Sequence, residues 1–171
     1  MDKVKSFHSV LCGLGIVGFL FTASIAVAAQ DKTNKVVLSS AVFVEVEVEN
    51  AEGKKEIKRM PVAKALPGSE LIYVTTYKNT GDKPAENLII TNPLAKELIY
   101  KDQSAQGENA AFSVSVDGGK HYGDLSTLRI PTTEGATRPA QAGDITHLQF
   151  KLSNKVLPQE EGTVTFRVVL K

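Results

Sequence analysis

From Val42 to Glu49 the chain reads V-F-V-E-V-E-V-E. A period of two sets Val42, Val44, Val46 and Val48 on one face and Glu45, Glu47 and Glu49 on the other. That alternation of β-branched and charged residues is a strand with one dry and one wet face. No helix can hold such a pattern, because 3.6 residues per turn would spread both kinds of side chain all round it. Asn50-Ala51-Glu52-Gly53 supplies turn chemistry. The basic run Lys54 to Arg59 then returns as the second arm of a hairpin, with its lysines opposite the glutamates. Such cross-strand pairs contribute only about 0.2–1 kcal/mol each, so a solvated hairpin face is the simpler reading and a charged binding stripe the sharper one.

The same period returns downstream. Leu148, Phe150 and Leu152 alternate with His147, Gln149 and Lys151, and Val164, Phe166, Val168 and Leu170 alternate with Thr163, Thr165 and Arg167. Leu71 to Lys78 is rich in β-branched and aromatic residues, and Phe112, Val114 and Val116 alternate with serines. Gly, Pro, Asn and Asp punctuate the gaps, and only Leu94 to Tyr100 offers a helical turn. Seven to nine short strands without helices predict an all-β, antiparallel sandwich of immunoglobulin-like type. One domain spans 36–171, with an N-terminal hairpin over 36–60 and a core over 63–170.

Ahead of that domain, Lys3 and Lys5 precede an apolar run from Val10 to Val27, which ends in Ala26-Val27-Ala28-Ala29. Basic head, apolar stretch and small-residue end are the parts of an export signal over 1–29. An uncleaved membrane anchor is the alternative, since the run is long enough to span. Residues 30–35 read as a short linker. Without 1–29, which carry two Lys and one Asp, the chain holds 18 basic and 18 acidic residues and no cysteine. Neither a disulfide framework nor the basic stripe of a nucleic-acid binder is present in that composition. The expectation is an exported protein, periplasmic, secreted or at the cell surface of a bacterium, stabilised by its core alone and without a span after cleavage.

Pro67-Gly68-Ser69-Glu70-Leu71-Ile72-Tyr73, Tyr77-Lys78-Asn79-Thr80-Gly81 and Leu88-Ile89-Ile90-Thr91-Asn92-Pro93 follow one another in order. This series resembles the conserved repeat domain of bacterial surface and secreted proteins, known as domain of unknown function 11, from about Ala63 to Leu170. Asn92 stands where that family usually has Asp. The resemblance implies an immunoglobulin-like sandwich of the cell envelope and no catalytic residues. In the residues themselves, Pro67-Gly68 suits a tight reversal, and in Asn79-Thr80-Gly81 both Asn and Gly tolerate left-handed backbone while the Asn side chain can bond neighbouring backbone groups.

Ser115 to Tyr122, S-V-D-G-G-K-H-Y, resembles the Asp-box hairpin of sialidases, with His121 where Thr is usual. Asp117-Gly118, followed by Gly119, also fits a two-residue hairpin turn. Asp117 and Asp124 are too few and too far apart for a calcium loop, and His121 and His147 are the only histidines beyond residue 29. No nucleophile-base spacing and no phosphate loop stands out. The expectation is therefore no catalytic, metal or cofactor site, and no cofactor. What remains is interaction through strands. The long Val42–Glu49 strand is the candidate edge, with Val42, Val44, Glu45, Val46, Glu47 and Glu49 meeting an envelope protein or a second copy. Pairing within the chain is the simpler reading of the same strand. A periplasmic chaperone or assembly factor is the alternative function, and a small-ligand or metal-binding protein a weaker third.

Overall fold

The alternating segments form strands, and the strands pack as two antiparallel sheets. A computed structural model describes residues 35–62, 64–133 and 135–171; the segment read as an export signal lies outside them. Among the described residues no helix is long and apolar enough to cross a membrane. The strands are β1 (Val36–Glu49), β2 (Lys55–Pro61), β3 (Glu70–Asn79), β4 (Ile89–Pro93), β5 (Leu98–Tyr100) and β6 (Gln106–Gly107). They continue as β7 (Ala110–Ser115), β8 (Arg129–Pro131), β9 (Thr137–Pro139), β10 (His147–Leu152) and β11 (Glu161–Leu170).

The larger sheet runs β2-β1-β3-β11-β5, with β6 also on β11; the second runs β4-β10-β7, and β8 pairs with β9 as a separate ribbon. Every pairing is antiparallel. The fold is all-β, as the alternation predicts. Among the described residues eleven strands replace the seven to nine expected, because β5, β6, β8 and β9 are pieces of two or three residues, too short to show a period. Leu94 to Tyr100 makes no helix: its end, Leu98–Tyr100, pairs with Val168–Leu170 of β11.

The core lies where β11 faces β10. Val164, Phe166 and Val168 of β11 and Leu148, Phe150 and Leu152 of β10 are each at most 2% exposed. Five rings pass between the sheets in sequence: Tyr73 stacks on Phe166 at 5.0 Å, Phe166 meets Phe150 at 6.5 Å, and Phe150 meets Phe112 at 5.2 Å. Tyr100 closes the series at 5.4 Å from Phe112. Such pairs add about 0.5–1.5 kcal/mol each beyond the area they bury.

The β1–β2 hairpin departs from this plan. All four valines of the stripe are half-buried, and Val42 and Val44 are the two that pack against the core. Every residue of β2 is exposed, Ile57 at 72%. The valine stripe is therefore in touch with the core at its base and beyond it toward its tip.

Candidate functional site

The strand that carries the acidic alternation changes partners half-way. Its first part, Val36 to Phe43, pairs with β3 from Asn79 to Ile72. From Phe43 to Glu49 it pairs on its opposite side with β2, from Pro61 to Lys55. Phe43 is the crossover, so each half of β1 has one side with no strand beside it among the described residues.

Charges organise the distal half. Glu45 lies opposite Arg59, at 3.3 Å from its Nε, and Glu47 takes Lys55 at 2.5 Å. Lys58 departs from the expected arrangement: it is opposite Val46, on the valine face, because a return strand of period two cannot put adjacent residues 58 and 59 on one face. Asn50 shapes the turn, its Oδ1 accepting the backbone N–H groups of Glu52 and Lys54.

Where β1 leaves β3, an arginine fills the gap. Arg167 of β11 grips Glu45 with both arms of its fork, Nη1 to Oε2 at 2.9 Å and Nη2 to Oε1 at 3.0 Å. The same Nη1 lies 2.8 Å from Glu70 Oε1, and Lys101 Nζ holds the other Glu70 oxygen at 2.6 Å. Bidentate arginine-carboxylate contacts fix geometry as well as charge. The Arg167 bonds hold the Glu45 carboxyl below its ordinary value, and Lys101 followed by Arg167 does the same to Glu70. A carboxyl lowered in the folded state stabilises the fold above its ordinary value, and that contribution disappears as pH falls through the lowered one. Urea midpoints are expected to drop from roughly pH 5 down to 3, with a shallower drop in Arg167→Gln; an identical drop in both proteins would detach the cluster from stability.

Of the two free sides of β1, the distal one is guarded. Backbone groups alternate sides along a strand. Since Val42 O accepts the Val62 N–H and Lys35 O accepts the Thr80 N–H, even-numbered residues point away from β3. After Phe43 it is therefore Glu45, Glu47 and Glu49 that turn their backbone to the open side, each with a carboxylate on it. The proximal half is bare. Val36, Leu38 and Ser40 turn their N–H and C=O outward, and Val36 to Ala41 contains no charge and no proline. Val37 and Leu38 are 44% and 48% exposed. Natural edges are normally blunted by Lys, Pro or short length, as outer strand β2 is by Lys55, Lys58, Arg59 and Pro61.

The turn motifs are structural joints. Leu66 to Ser69 closes through the Ser69 N–H to Leu66 O at 2.9 Å, with Gly68 at φ +87°; Pro67-Gly68 thus forms a turn that needs left-handed backbone at its third position. Asn79, fully buried, acts through its side chain. Its Nδ2 donates to Lys83 O and Val156 O at 2.8 and 2.9 Å, and its Oδ1 accepts the Gly81 N–H at 3.0 Å. Neither Asn79 nor Gly81 uses the left-handed φ that both tolerate, because the amide side chain makes the turn by the bonds to neighbouring backbone that the sequence suggests. Thr80 caps β1 through its N–H and hydroxyl to Lys35 O.

The Asp117 segment is an eight-residue loop, 115–122, closed by paired bonds between Val114 and Gly123. It is longer than the two-residue turn expected, because Gly118 and Gly119 are both left-handed yet the segment after them forms no strand beside β7. Asp117 Oδ1 accepts the N–H groups of Lys120 and His121 and the Ser115 hydroxyl, and its Oδ2 meets His121 Nδ1. These bonds hold the carboxyl well below the usual range, the His121 backbone N–H first among them. Asp124 does not join: its carboxylate takes the Ser126 N–H and hydroxyl. His147 lies against Gly119, its Nδ1 3.1 Å from Thr146 Oγ1. Among the described residues no three His, Cys, Asp or Glu side chains converge as metal ligands.

No family model, curated protein or solved structure matches this chain. The ion cluster around Arg167 and the bare half of β1 are features that sequence reasoning missed. Glu45 and Arg167 lie 122 positions apart, and nothing local announces their meeting. The bare edge was legible in part, as a six-residue run without Lys, Glu or Pro.

Proposed function

We propose that this chain is an exported, non-enzymatic β-sandwich of immunoglobulin-like arrangement that engages another protein in the bacterial envelope by strand addition. The observation that carries the reading is the unguarded Val36–Ala41 edge, beside a distal half and an outer strand that are both guarded by charge. A partner strand there would bond to outward groups of Val36, Leu38 and Ser40, and main-chain bonding gives affinity in such additions. The basic-headed apolar run at 1–29 supports export, and the ordered Pro67–Pro93 motifs support an envelope setting. The bonds that engage Asp117 and His121 within their own loop support a structural turn there.

Hydrogen exchange tests the edge residue by residue. The amides of Val37, Ser39 and Ala41 point at β3 and are expected to be protected in the free protein, while those of Leu38 and Ser40 exchange fast. Incubation with envelope extract is expected to slow Leu38 and Ser40, and a Leu38→Lys variant, which restores an edge charge, is expected to abolish that slowing with stability unchanged within about 0.5 kcal/mol. Unchanged exchange at both amides in the extract, and a light-scattering mass of one chain, would overturn strand addition.

A further inference from the structure

The bare half of β1 is short, bounded and free of charge, and those properties select what can lie beside it. From Val36 to Ala41 only Val36 is half-buried and the rest are exposed. The chain itself closes one end of the stretch, because the Val62 N–H already bonds Val42 O. An added strand therefore cannot extend past Ala41 on that side. Leu38 is 48% exposed and is not among the β1 side chains that pack against the core, which are Val36, Val42 and Val44. The strand that adds here is one that covers Leu38 with an apolar group and brings no charge against Lys35.

The same stretch of a second copy meets these demands. A two-fold axis through Leu38 sets it against Leu38 of the second copy and sets Val36 against that copy's Ser40. All three residues that turn N–H and C=O outward then exchange main-chain bonds with their counterparts, and the two exposed leucines cover one another. Val37 lies opposite Ser39 of the second copy, and Lys35 opposite its Ala41. Other axes fit less well. One through Ser39 would set Val36 against Val42, whose outward carbonyl Val62 already holds; one through Val37 would leave Ser40 without a counterpart in Val36–Ala41. Like charges directly opposite would disfavour the pair, and none meet in this register, since Glu45, Glu47 and Glu49 lie beyond it. Past residue 29 the chain carries 18 basic and 18 acidic residues, so no net charge opposes the approach of two copies. Six residues a side is far fewer than the roughly 20–30 of a stable interface, and the pair is accordingly a transient one.

We infer that the strand added at this edge is Val36–Ala41 of a second copy of the chain, antiparallel about a two-fold axis at Leu38. The inference rests on the strand-addition reading above and names its partner. Hydrogen exchange and sedimentation of the pure full-length protein, from about 5 µM to about 1 mM, would test it. At the upper end Leu38 and Ser40 are expected to exchange about fivefold more slowly, as for a pair four-fifths formed with Kd about 100 µM, and the sedimenting mass to approach two chains. Cysteines read the register. In a Cys12→Ser background, which removes the only native cysteine, Val37→Cys and Ser39→Cys chains would be mixed under oxidation. Residues facing in a pair without main-chain bonds have Cα atoms about 4.5 Å apart, within the disulfide range of about 4.4–6.8 Å. The mixture is expected to cross-link about tenfold faster than either variant alone, because neither position faces itself. Equal rates would overturn the register. A single-chain mass and unchanged exchange in the concentrated pure protein, with Leu38 and Ser40 slowed only by envelope extract, would overturn the second copy and leave strand addition standing. Unchanged exchange in both would overturn the two together.

Discussion

Asn79→Asp is expected to destabilise the protein by about 3–5 kcal/mol at pH 7, the range for a buried charge left without compensation. The native amide donates to two backbone carbonyls, Lys83 O and Val156 O. Aspartate keeps the shape but aims a carboxylate oxygen at both. The site has no exposure to relieve it, and desolvation adds to the repulsion. Both effects raise the folded-state pKa of the new carboxyl above its unfolded value. The sign of the pH dependence follows: the penalty is full above the raised value and shrinks as pH falls through it, because the protonated acid can again donate. Wild type behaves in the opposite sense, losing the Glu45 and Glu70 contributions in acid. The two stability curves are therefore expected to converge between pH 7 and about pH 4, within reach of urea unfolding. Asn79→Ala, which removes the bonds without adding charge, is expected to lose about 2–3 kcal/mol with no such convergence. A constant gap between Asn79→Asp and wild type across that range would refute the burial argument.

The same residue shows what the sequence could and could not display. Asn-Thr-Gly announced a turn, and a turn is there. Its mechanism was legible in part, as an Asn side chain bonding the nearby Gly81 N–H and Lys83 O, but the bond to Val156 O, 77 positions away, was hidden. Period two was enough to identify the strands around Val44, Phe150 and Phe166 and the apolar face of each. It could not say how far the second sheet extends, and so could not reveal that Val46 and Val48 lie beyond the core that Val42 and Val44 touch. Nor does it mark a partner change within one strand: Val36–Glu49 is continuous in pattern and discontinuous in pairing. The candidate edge was nominated for its regularity, at Val42–Glu49. Regularity with alternate glutamates is also how an edge is protected, and the upstream half, irregular and uncharged, is the more open to another chain. The packing of Tyr77 over Gly162 was illegible for a different reason. A tyrosine opposite a glycine reads as ordinary strand composition until the register between β3 and β11 is known.

Phe166→Ala tests the other end of the scale, the contact that makes two sheets into one body. Phe166 is 1% exposed and sits between Tyr73 of its own sheet and Phe150 of the other. Truncating a buried phenylalanine costs about 3–5 kcal/mol, partly for lost transfer and partly for the cavity left behind. The high end is expected here, since neighbours Val164 and Val168 are pinned in the β11 ladder between β3 and the short β5 and β6 and cannot move in. For a domain of ordinary stability, about 5–15 kcal/mol in total, that is a large share. Ile57→Ala, at a position on the same sheet that is 72% exposed, is expected to change stability by no more than about 0.5 kcal/mol. The pair separates burial from strand propensity, because both changes remove a β-favouring side chain from a strand. Equal and small losses would mean that the five-ring series does not hold the sheets together, and the sandwich would need another joint.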